Sequence, residues 1–237
     1  MTPNPEPTFR TPDGQVVPPV TADGMREVDR VAVEEVGVSI LMMMEHAGRS
    51  LADPLRGYEG RVVVLAGSGG NGGGGLCAAR HLLNAGVDGR VVLGPDPADL
   101  TGAAARQFGV LHERGVSPTT DDDLESADLV LDALVGYGLS GPLQGRAAAL
   151  VDRLGEASAE VRSLDVPSGV NATTGERLGP SVDADLTTTL ALPKTGLGDV
   201  GPVRLADIGL PRVVFEHAGV DYEWPYDDGV SVDLSVR

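Results

Sequence analysis

Cysteine and long apolar runs are the two features that this sequence most lacks. Cys77 is the only cysteine among the 237 residues, which excludes an internal disulfide and a cysteine-rich metal site. No apolar run reaches the roughly 20 residues that a membrane-spanning helix needs, and the longest candidate covers only residues 36–44. The chain also opens without the charged segment and apolar stretch of a secretory signal. We therefore expect a cytoplasmic protein with no membrane partner.

Lysine is nearly absent, and negative charge dominates. Lys194 is the only lysine, and the formal net charge is −17, with 35 acidic residues spread along the chain and a short run at 121–123. Such a balance excludes nucleic acid as a direct partner. Dispersed acidic residues with so little lysine are typical of a salt-loving cytoplasm, in which salt screens the repulsion between like charges. We therefore predict a halophilic protein that loses structure at low salt.

The length and the prolines indicate one domain behind a short arm. A chain of 237 residues is long enough to bury one sizeable core. Six prolines lie within residues 1–20 and exclude a helix there, so this segment is predicted to be a proline-rich N-terminal arm. Residues 21–237 are predicted to form a single domain.

Residues 21–54 carry a helical pattern. Thr21 has the residue type of a helix N-cap, and apolar residues follow it at helical spacing. Gly37 is predicted to divide this region into two helices, and Pro54 lies near the end of the second.

From residue 61 onward, short apolar runs alternate with helical stretches. The predicted strands are 62–66, 89–93, 129–134, 161–166, 186–192 and 203–208, and the predicted helices are 76–85, 101–114 and 145–154. Apolar strands separated by helices are typical of parallel strands that are buried on both faces. The pattern predicts an α/β fold, a three-layer α/β/α sandwich with a Rossmann-like, mostly parallel sheet. Residues 222–237 are too weakly patterned to assign.

Glycine is concentrated directly after the first strand of this α/β pattern. Seven of the nine residues 67–75 are glycines, and the predicted helix 76–85 follows them. Glycines allow a positive φ and a close approach of a ligand to the backbone, and the N–H groups at the start of a helix attract anions. The segment therefore predicts a loop that binds a phosphate-bearing ligand.

Polar side chains stand where three predicted strands end. Asn71 follows the first of them, Asp132 ends the third, and Asp165 ends the fourth and is followed by Ser168. Ligands of open parallel sheets bind beyond the carboxyl ends of the strands. An aspartate at one strand end often serves only to form a turn, but three such ends in one sheet indicate a common site.

A GxGxxG spacing leaves another function open. Gly67, Gly69 and Gly72 match it, and Asp88 or Asp96 lies roughly where an NAD-dependent dehydrogenase has its ribose-binding acid. A run this rich in glycine fits many spacings, so the match is weak. The four histidines are scattered, and none forms an obvious catalytic pair with a carboxylate.

Three motifs, in order, carry a resemblance to a known family. The family pattern GxGNNGGDG corresponds to residues 67–75, DALFGTGL to 132–139 and SLDIPSG to 163–169. Shorter similar segments lie at 44–48, 192–194 and 206–211. Over roughly residues 21–212, the chain resembles the YjeF N-terminal domain family, whose fold is that of the NAD(P)H-hydrate epimerases.

The resemblance implies an isomerase that interconverts the R and S epimers of hydrated NADH and NADPH in cofactor repair. It implies that Asp165 is the catalytic acid–base residue and that Asn71, Asp132 and Ser168, whose oxygens suit a hard cation, bind K⁺. The implied substrate-binding residues are Gly70, Asn71, Gly72, Gly73, Gly74, Gly136, Tyr137, Gly138, Leu139, Ser140, Gly141, Pro142 and Asp165.

The same resemblance implies two kinds of partner. One is a second copy of the chain in a homodimer. The other is a separate NAD(P)H-hydrate dehydratase in the same pathway, because we expect no room in 237 residues for a fused dehydratase domain.

Three positions depart from the family pattern. Gly70 replaces the first asparagine of its pair, Gly74 replaces the loop aspartate, and Ser140 stands at a position that is often basic. These departures leave open an alternative, a catalytically degenerate domain that binds a nucleotide or serves as a dimeric scaffold. Asp165 and the three implied potassium ligands match the family pattern, and these four residues favour the epimerase. Lys194 is also present.

Overall fold

The computed structural model describes residues 7–118 and 124–237, so the acidic run at 121–123 lies outside the described residues. The strands are β1 Phe9–Arg10, β2 Val16–Val17, β3 Val62–Ala66, β4 Gly89–Leu93, β5 Leu129–Ala133, β6 Glu160–Leu164, β7 Leu186–Leu190, β8 Val203–Ala206 and β9 Ser231–Val236. The α-helices are α1 Ala22–Arg30, α2 Ile40–Ala52, α3 Gly70–Asn84, α4 Gly102–Glu113, α5 Gly145–Leu154 and α6 Arg212–His217. Within the described ranges, no helix has both the length and the hydropathy to cross a bilayer.

The sheet is parallel at its centre and antiparallel at one edge. Its strand order is β2-β1-β9-β8-β7-β6-β5-β3-β4. The strands from β8 to β4 are parallel, whereas β9, β1 and β2 pair antiparallel. Parallel neighbours need crossover connections, several of which are helices here. All six predicted strands form, with ends that differ by at most two residues, and the mostly parallel α/β fold is confirmed.

Alternating side chains of the central strand β3 separate the two faces of the sheet. Val62, Val64 and Ala66 belong to a large apolar cluster that includes residues of α1 to α4 and α6. Val63 and Leu65 belong to a smaller cluster on the other face, which α5 covers. Because successive side chains of a strand point to opposite faces, this fully buried strand packs against both helical layers.

Two N-caps and one glycine shape residues 21–52. The side chains of Thr21 and Ser39 accept hydrogen bonds from backbone N–H groups of the first turns of α1 and α2. After α1, the chain continues as a π-helix over Val31–Val36 and leaves it at Gly37, whose φ is 83°. The predicted division at Gly37 is confirmed.

The glycine-rich segment is mostly helix, not the long loop that we predict from the sequence. Helix α3 begins at Gly70, six residues before the predicted start. The lack of side chains permits close packing here, because a Cβ on Gly72 would lie 1.8 Å from the carbonyl oxygen of Gly67. A Cβ on Gly75 would lie 2.5 Å from the Cβ of Ala133 on the sheet. Tertiary packing therefore overrides the low helix propensity of glycine.

Both ends of the described chain pair at one sheet edge. Strands β1 and β2 lie within the predicted arm, and β1 pairs with β9, which lies in the segment that the sequence left unassigned. Phe9 is fully buried, and the N–H of Val20 donates to the carbonyl oxygen of Pro193 over 2.9 Å. The described part of the arm therefore packs on the core, and the division at residue 20 stays a prediction.

Candidate active site

A cavity opens at the carboxyl ends of the central parallel strands. Its volume is about 570 Å³, and its walls come from α1, α2, the end of β7 and the segments after β3, β5 and β6. This is where open α/β sheets bind ligands. The implied site residues that line it are Gly70, Asn71, Gly136, Tyr137, Gly138 and Asp165. A second cavity of about 970 Å³ lies beside the N-terminal arm, and none of the implied site residues lines it.

Asp165 is held in a left-handed backbone conformation directly after β6. Its φ is 68°, which costs a residue other than glycine about 1 kcal/mol or more. The N–H of Asp165 donates to the carbonyl oxygen of Thr188 over 2.7 Å. Its carboxylate accepts the N–H groups of Tyr137 at 3.2 Å and of Leu190 at 3.3 Å. These contacts stabilise the turn and aim a buried carboxylate at the cavity.

Lys194 forms an ion pair with Asp165 at the cavity wall. Its ammonium donates to Oδ1 of Asp165, to the carbonyl oxygen of Leu190 at 2.9 Å and to the hydroxyl of Thr189 at 3.4 Å. The residue is 0% exposed, and its three donors all have acceptors. A buried charge is stable only when it is paired and hydrogen-bonded. The chain's one lysine is therefore the ion-pair partner of Asp165 within the wall.

A second carboxylate reaches the cavity from α1, and no sequence motif singles it out. Oδ2 of Asp29 accepts a hydrogen bond from the hydroxyl of Tyr137 over 2.5 Å, and both residues line the cavity. Burial raises the pKa of Asp29, against the opposing effects of the Tyr137 hydrogen bond and the charge of Lys194. Burial and the neighbouring Asp29 also raise the pKa of the Tyr137 hydroxyl. Several acidic residues surround Asp29 in the sequence, so only the tertiary structure distinguishes it.

Gly136 lets two functional segments meet. A Cβ at this position would lie 3.0 Å from Oδ1 of Asn71 and 3.0 Å from Oδ2 of Asp165. Such contacts are tighter than ordinary van der Waals distances, so a side chain here would displace one of the two groups. The glycine thus brings the start of α3 and the end of β6 to one point beside the cavity.

Asp132 and Ser168, two of the three implied metal ligands, contact each other. The Asp132 carboxylate accepts the Ser168 hydroxyl at 2.6 Å, the Ser168 N–H at 2.9 Å and the Ser163 hydroxyl at 2.8 Å. Burial raises the pKa of Asp132, and these hydrogen bonds oppose that rise. In the described part of the chain, neutral groups make all of these contacts, and none of them supplies a positive charge to the carboxylate.

The amide nitrogen of Asn71, the third implied ligand, lacks a hydrogen-bond partner among the described residues. This atom, Nδ2, is buried. Oxygen and nitrogen of an asparagine amide are assigned by their hydrogen bonds, so the opposite orientation would present an oxygen at that point. An amide, a carboxylate and a hydroxyl form a donor set that fits a hard monovalent cation.

The remaining implied substrate residues do not line the cavity. Gly73 and Gly74 lie in the buried body of α3, where Gly73 approaches Ala103 of α4. Leu139 packs against the apolar cluster on the α5 side of the sheet. Gly72, Ser140, Gly141 and Pro142 are also absent from the cavity lining.

A cluster with metal-ligand chemistry lies between α2 and α3, outside the cavity. The ligand atoms of Glu45, Cys77 and His81 lie within 4.8 Å of one another. However, the Arg80 guanidinium contacts the Glu45 carboxylate and lies 3.3 Å from Sγ of Cys77. Burial raises the pKa of the Cys77 thiol to about 12. We interpret the cluster as a hydrogen-bonded contact between two helices, in which the arginine already supplies the positive charge.

Comparison with known protein families shows which family this chain belongs to. Residues 40–196 match the family model described as YjeF-related protein N-terminus. The chain belongs to this family. It is 44% identical to a protein named NAD(P)H-hydrate epimerase from Dehalogenimonas lykanthroporepellens, over 96% of this chain and 97% of that one.

Two further comparisons bear on the extent of the fold. The chain is 35% identical to a protein of Moorella thermoacetica named bifunctional NAD(P)H-hydrate repair enzyme Nnr, over 81% of this chain but only 41% of that protein. The crystal structure of the yeast protein ynu0 superposes with a TM-score of 0.77 at 22% identity, over 92% of this chain and 100% of that one. The latter likeness concerns the fold alone.

The three residues that depart from the YjeF family pattern lie in different surroundings. A Cβ on Gly70 would meet no atom within 4 Å, and Gly70 lines the cavity. A Cβ on Gly74 would lie 2.7 Å from Cδ2 of Leu164, inside the core. Ser140 is exposed. The first departure therefore changes the cavity wall, whereas the second changes the packing of α3.

Proposed function

We propose that this chain is an NAD(P)H-hydrate epimerase, an isomerase that interconverts the R and S epimers of hydrated NADH or NADPH. The observation that carries the proposal is the Asp165–Lys194 ion pair in the wall of the cavity that the start of α3 also lines. The relative of that name, 44% identical over nearly the full length of both chains, supports it.

The chemistry of the substrate explains why a carboxylate is needed. Addition of water to the ring double bond beside the ring nitrogen leaves a hydroxyl on the adjacent carbon, a hemiaminal. The C–O bond of a hemiaminal breaks when the nitrogen lone pair forms a C=N bond, and water can then add to either face. Such steps need a group that accepts and returns a proton, and we propose Asp165, which lines the cavity, as that group.

The start of α3 is the proposed site for the phosphates of the dinucleotide. N–H groups in the first turn of a helix lack intrahelical partners and attract anions. Ser68, Gly69, Gly70 and Asn71 line the cavity at this helix end, together with residues 136–138 after β5. A Cβ on Gly69, Gly70 or Gly138 would meet no atom within 4 Å, so the segments leave room for a ligand.

We further propose that Asn71, Asp132 and Ser168 hold a potassium ion. The Asp132 carboxylate, which has only neutral hydrogen-bond donors in the described residues, and the unpartnered Asn71 amide nitrogen support this assignment. When bound, the ion supplies a positive charge that offsets the buried carboxylate and favours the nearby substrate phosphates. Asn71 belongs to both sites, so it links the cation to the substrate cavity.

The proposal extends to the cellular setting. We propose a cytoplasmic homodimer that delivers the S epimer to a separate NAD(P)H-hydrate dehydratase. The Moorella relative, named as a bifunctional repair enzyme and spanned by this chain over 41% of its length, supports a division of repair between two activities.

A catalytically degenerate nucleotide-binding or scaffold domain is the second candidate. Gly70, in the cavity wall, favours it, because it lacks the amide of the family pattern at that point. The ion pair of Asp165 and Lys194 argues against this candidate. It is buried at the cavity, and Asp165 has a strained backbone conformation.

The deciding experiment measures epimerase activity on purified (R)-NADHX in high potassium chloride. An (S)-specific dehydratase converts the product, and the absorbance of the restored NADH reports the rate above an enzyme-free control. Wild type and Asp165→Asn are assayed together. We expect activity in the wild type and a loss of about 100-fold or more in the variant. A folded wild type that binds nucleotide without activity would establish the second candidate.

A further inference from the structure

Two carboxylates from different elements face the same cavity, and one residue contacts both. Asp29 comes from α1, and Asp165 follows β6. Tyr137 donates its backbone N–H to Oδ2 of Asp165 at 3.2 Å and its hydroxyl to Oδ2 of Asp29 at 2.5 Å. Tyr137 therefore links the two carboxylates, one through its backbone and the other through its hydroxyl.

Epimerisation of a hemiaminal requires proton transfer on two faces of the ring. The hydroxyl leaves one face as water, and water returns to the opposite face. A carboxylate on one side of the ring can assist only one of these steps unless the ring turns over. Glycosidases meet a similar demand with two carboxyl groups that flank a sugar ring, one as acid and the other as base.

The surroundings of the two carboxylates suit different roles. Asp165 has the Lys194 ammonium as its partner, a setting that suits the base of the pair. Asp29 is partly buried and has no cation in hydrogen-bond contact among the described residues, and its burial raises its pKa. The groups that face Asp29 are the Tyr137 hydroxyl, Lys194 and Asp165 from other elements, and Arg26 lies beside it on α1. Separate environments of this kind assign acid and base roles to paired carboxyl groups.

We infer that Asp29, positioned by the Tyr137 hydroxyl, is a second catalytic proton-transfer residue and works with Asp165 on opposite faces of the hydrated ring. This inference rests on the proposed function. In one direction, the Asp29 carboxyl gives its proton to the substrate hydroxyl, the C–O electron pair leaves with water, and the nitrogen lone pair forms the C=N bond. A water molecule then adds to the other face, the C=N pair returns to nitrogen, and the surplus proton passes to Asp165. The epimers have the same composition, and solvent water returns the proton from Asp165 to Asp29 between turnovers.

The test compares Asp29→Asn, Tyr137→Phe and a control, Glu27→Gln, in the same coupled assay. Glu27 is an exposed acid on α1 that pairs with Arg30 and does not line the cavity. We expect Asp29→Asn to lower kcat by about 100-fold or more with little change in KM, as is typical for the loss of a general acid. Glu27→Gln is expected to keep the wild-type kcat. Unfolding curves of all variants separate a loss of chemistry from a loss of fold.

A pH profile adds a readout that a structural role would not change. Activity that needs protonated Asp29 falls as the pH rises through the pKa of Asp29. The Tyr137 hydrogen bond lowers that pKa, so Tyr137→Phe is expected to move the alkaline limb of kcat to higher pH. An unmoved limb in Tyr137→Phe, or a wild-type kcat in Asp29→Asn, would overturn the inference alone. An inactive wild type would overturn the proposed function, and the inference with it.

Discussion

The ammonium of Lys194 donates to Oδ1 of Asp165 at a point where the two side chains are only 1% and 4% exposed. Neither charge has water as an alternative partner, so each depends on the other. The ion pair lies where the segment after β6 and the segment after β7 meet, and it lines the cavity. Its loss is therefore expected to affect both the fold and the reaction.

Lys194→Met is expected to lower the free energy of unfolding by about 3–5 kcal/mol, because it leaves the Asp165 carboxylate buried and unpaired. Denaturant unfolding in high potassium chloride measures the change. The double variant Lys194→Met with Asp165→Asn removes both charges and is expected to recover part of the loss. A single variant as stable as the wild type would contradict the assigned ion pair.

Gly136→Ala is expected to lower kcat/KM by about 10- to 100-fold with a smaller effect on stability. The new Cβ would lie 3.0 Å from both Asn71 Oδ1 and Asp165 Oδ2, so one of these groups must move. Displacement of a reacting group by about 1 Å can cost about 100-fold in rate.

The matched control for this variant is Gly109→Ala. Gly109 is an exposed residue of α4, and a Cβ there would meet no atom within 4 Å. We expect wild-type activity and a slightly more stable protein, because alanine favours helix over glycine. Equal kinetics in the two alanine variants would show that Gly136 does not set the geometry of the site.

The strands and the strand-end polar residues were predictable from sequence for a physical reason. Buried parallel strands must be apolar on both faces, so short apolar runs such as 129–133 mark them. The carboxyl ends of such strands meet at one edge, so the sequence pattern alone predicts that Asp132 and Asp165 lie there. The family motifs then named Asp165 and the glycine segment.

Three other features depend on contacts that form only in the folded chain, so local sequence does not predict them. Asp29 meets Tyr137 across 108 positions of sequence, and nothing around Asp29 marks it as different from the other acids of α1. The sequence predicts the start of α3 six residues too late, because glycine disfavours a helix locally and the helix is explained by its packing against Gly67 and Ala133. The tail cannot be assigned from its own residues, because β9 depends on its pairing with β8 on one side and with β1 on the other.

Restoring the two family residues at Gly70 and Gly74 is expected to have opposite effects. Gly70→Asn adds an amide to open space at the cavity and should fold normally with higher kcat/KM. Gly74→Asp places a Cβ 2.7 Å from Cδ2 of Leu164 and adds a charged side chain to the buried body of α3, so it should lose several kcal/mol or fail to fold.

Activity assays measure kcat/KM, and unfolding curves measure stability, for these two variants and the wild type. A Gly74→Asp protein as stable as the wild type would mean that α3 does not pack on Leu164 as described. A folded Gly70→Asn protein with unchanged kinetics would show that the missing amide does not limit catalysis.

Low salt is expected to unfold the protein. The formal net charge is −17 at pH 7, and screening becomes weak as the Debye length grows from about 3 Å at 1 M salt to about 30 Å at 0.01 M. Circular dichroism from molar potassium chloride to no added salt measures the transition. A spectrum that stays the same over this range would rule out the halophilic character.

Potassium is expected to stabilise the fold beyond the general effect of salt. An ion that binds only the folded state at 100 times its Kd adds about 2.7 kcal/mol, which corresponds to a rise in Tm of roughly 5–10 °C for a chain of this size. The Tm is measured at equal ionic strength in potassium, sodium and tetramethylammonium chloride, so screening is matched and only specific binding differs. Potassium should give the highest Tm, because the buried Asp132 carboxylate has only neutral hydrogen-bond donors in the described residues.

The difference between the salts, not the Tm itself, is the decisive quantity for that cation site. Asp132→Asn changes the stability in every salt, since it alters a fully buried hydrogen-bonded group. It should also abolish the advantage of potassium over tetramethylammonium, whereas Asp152→Asn, at an exposed acid of α5, should keep it. Equal Tm values of the wild type in all three salts would refute the cation site and leave screening of the net charge as the whole effect of salt.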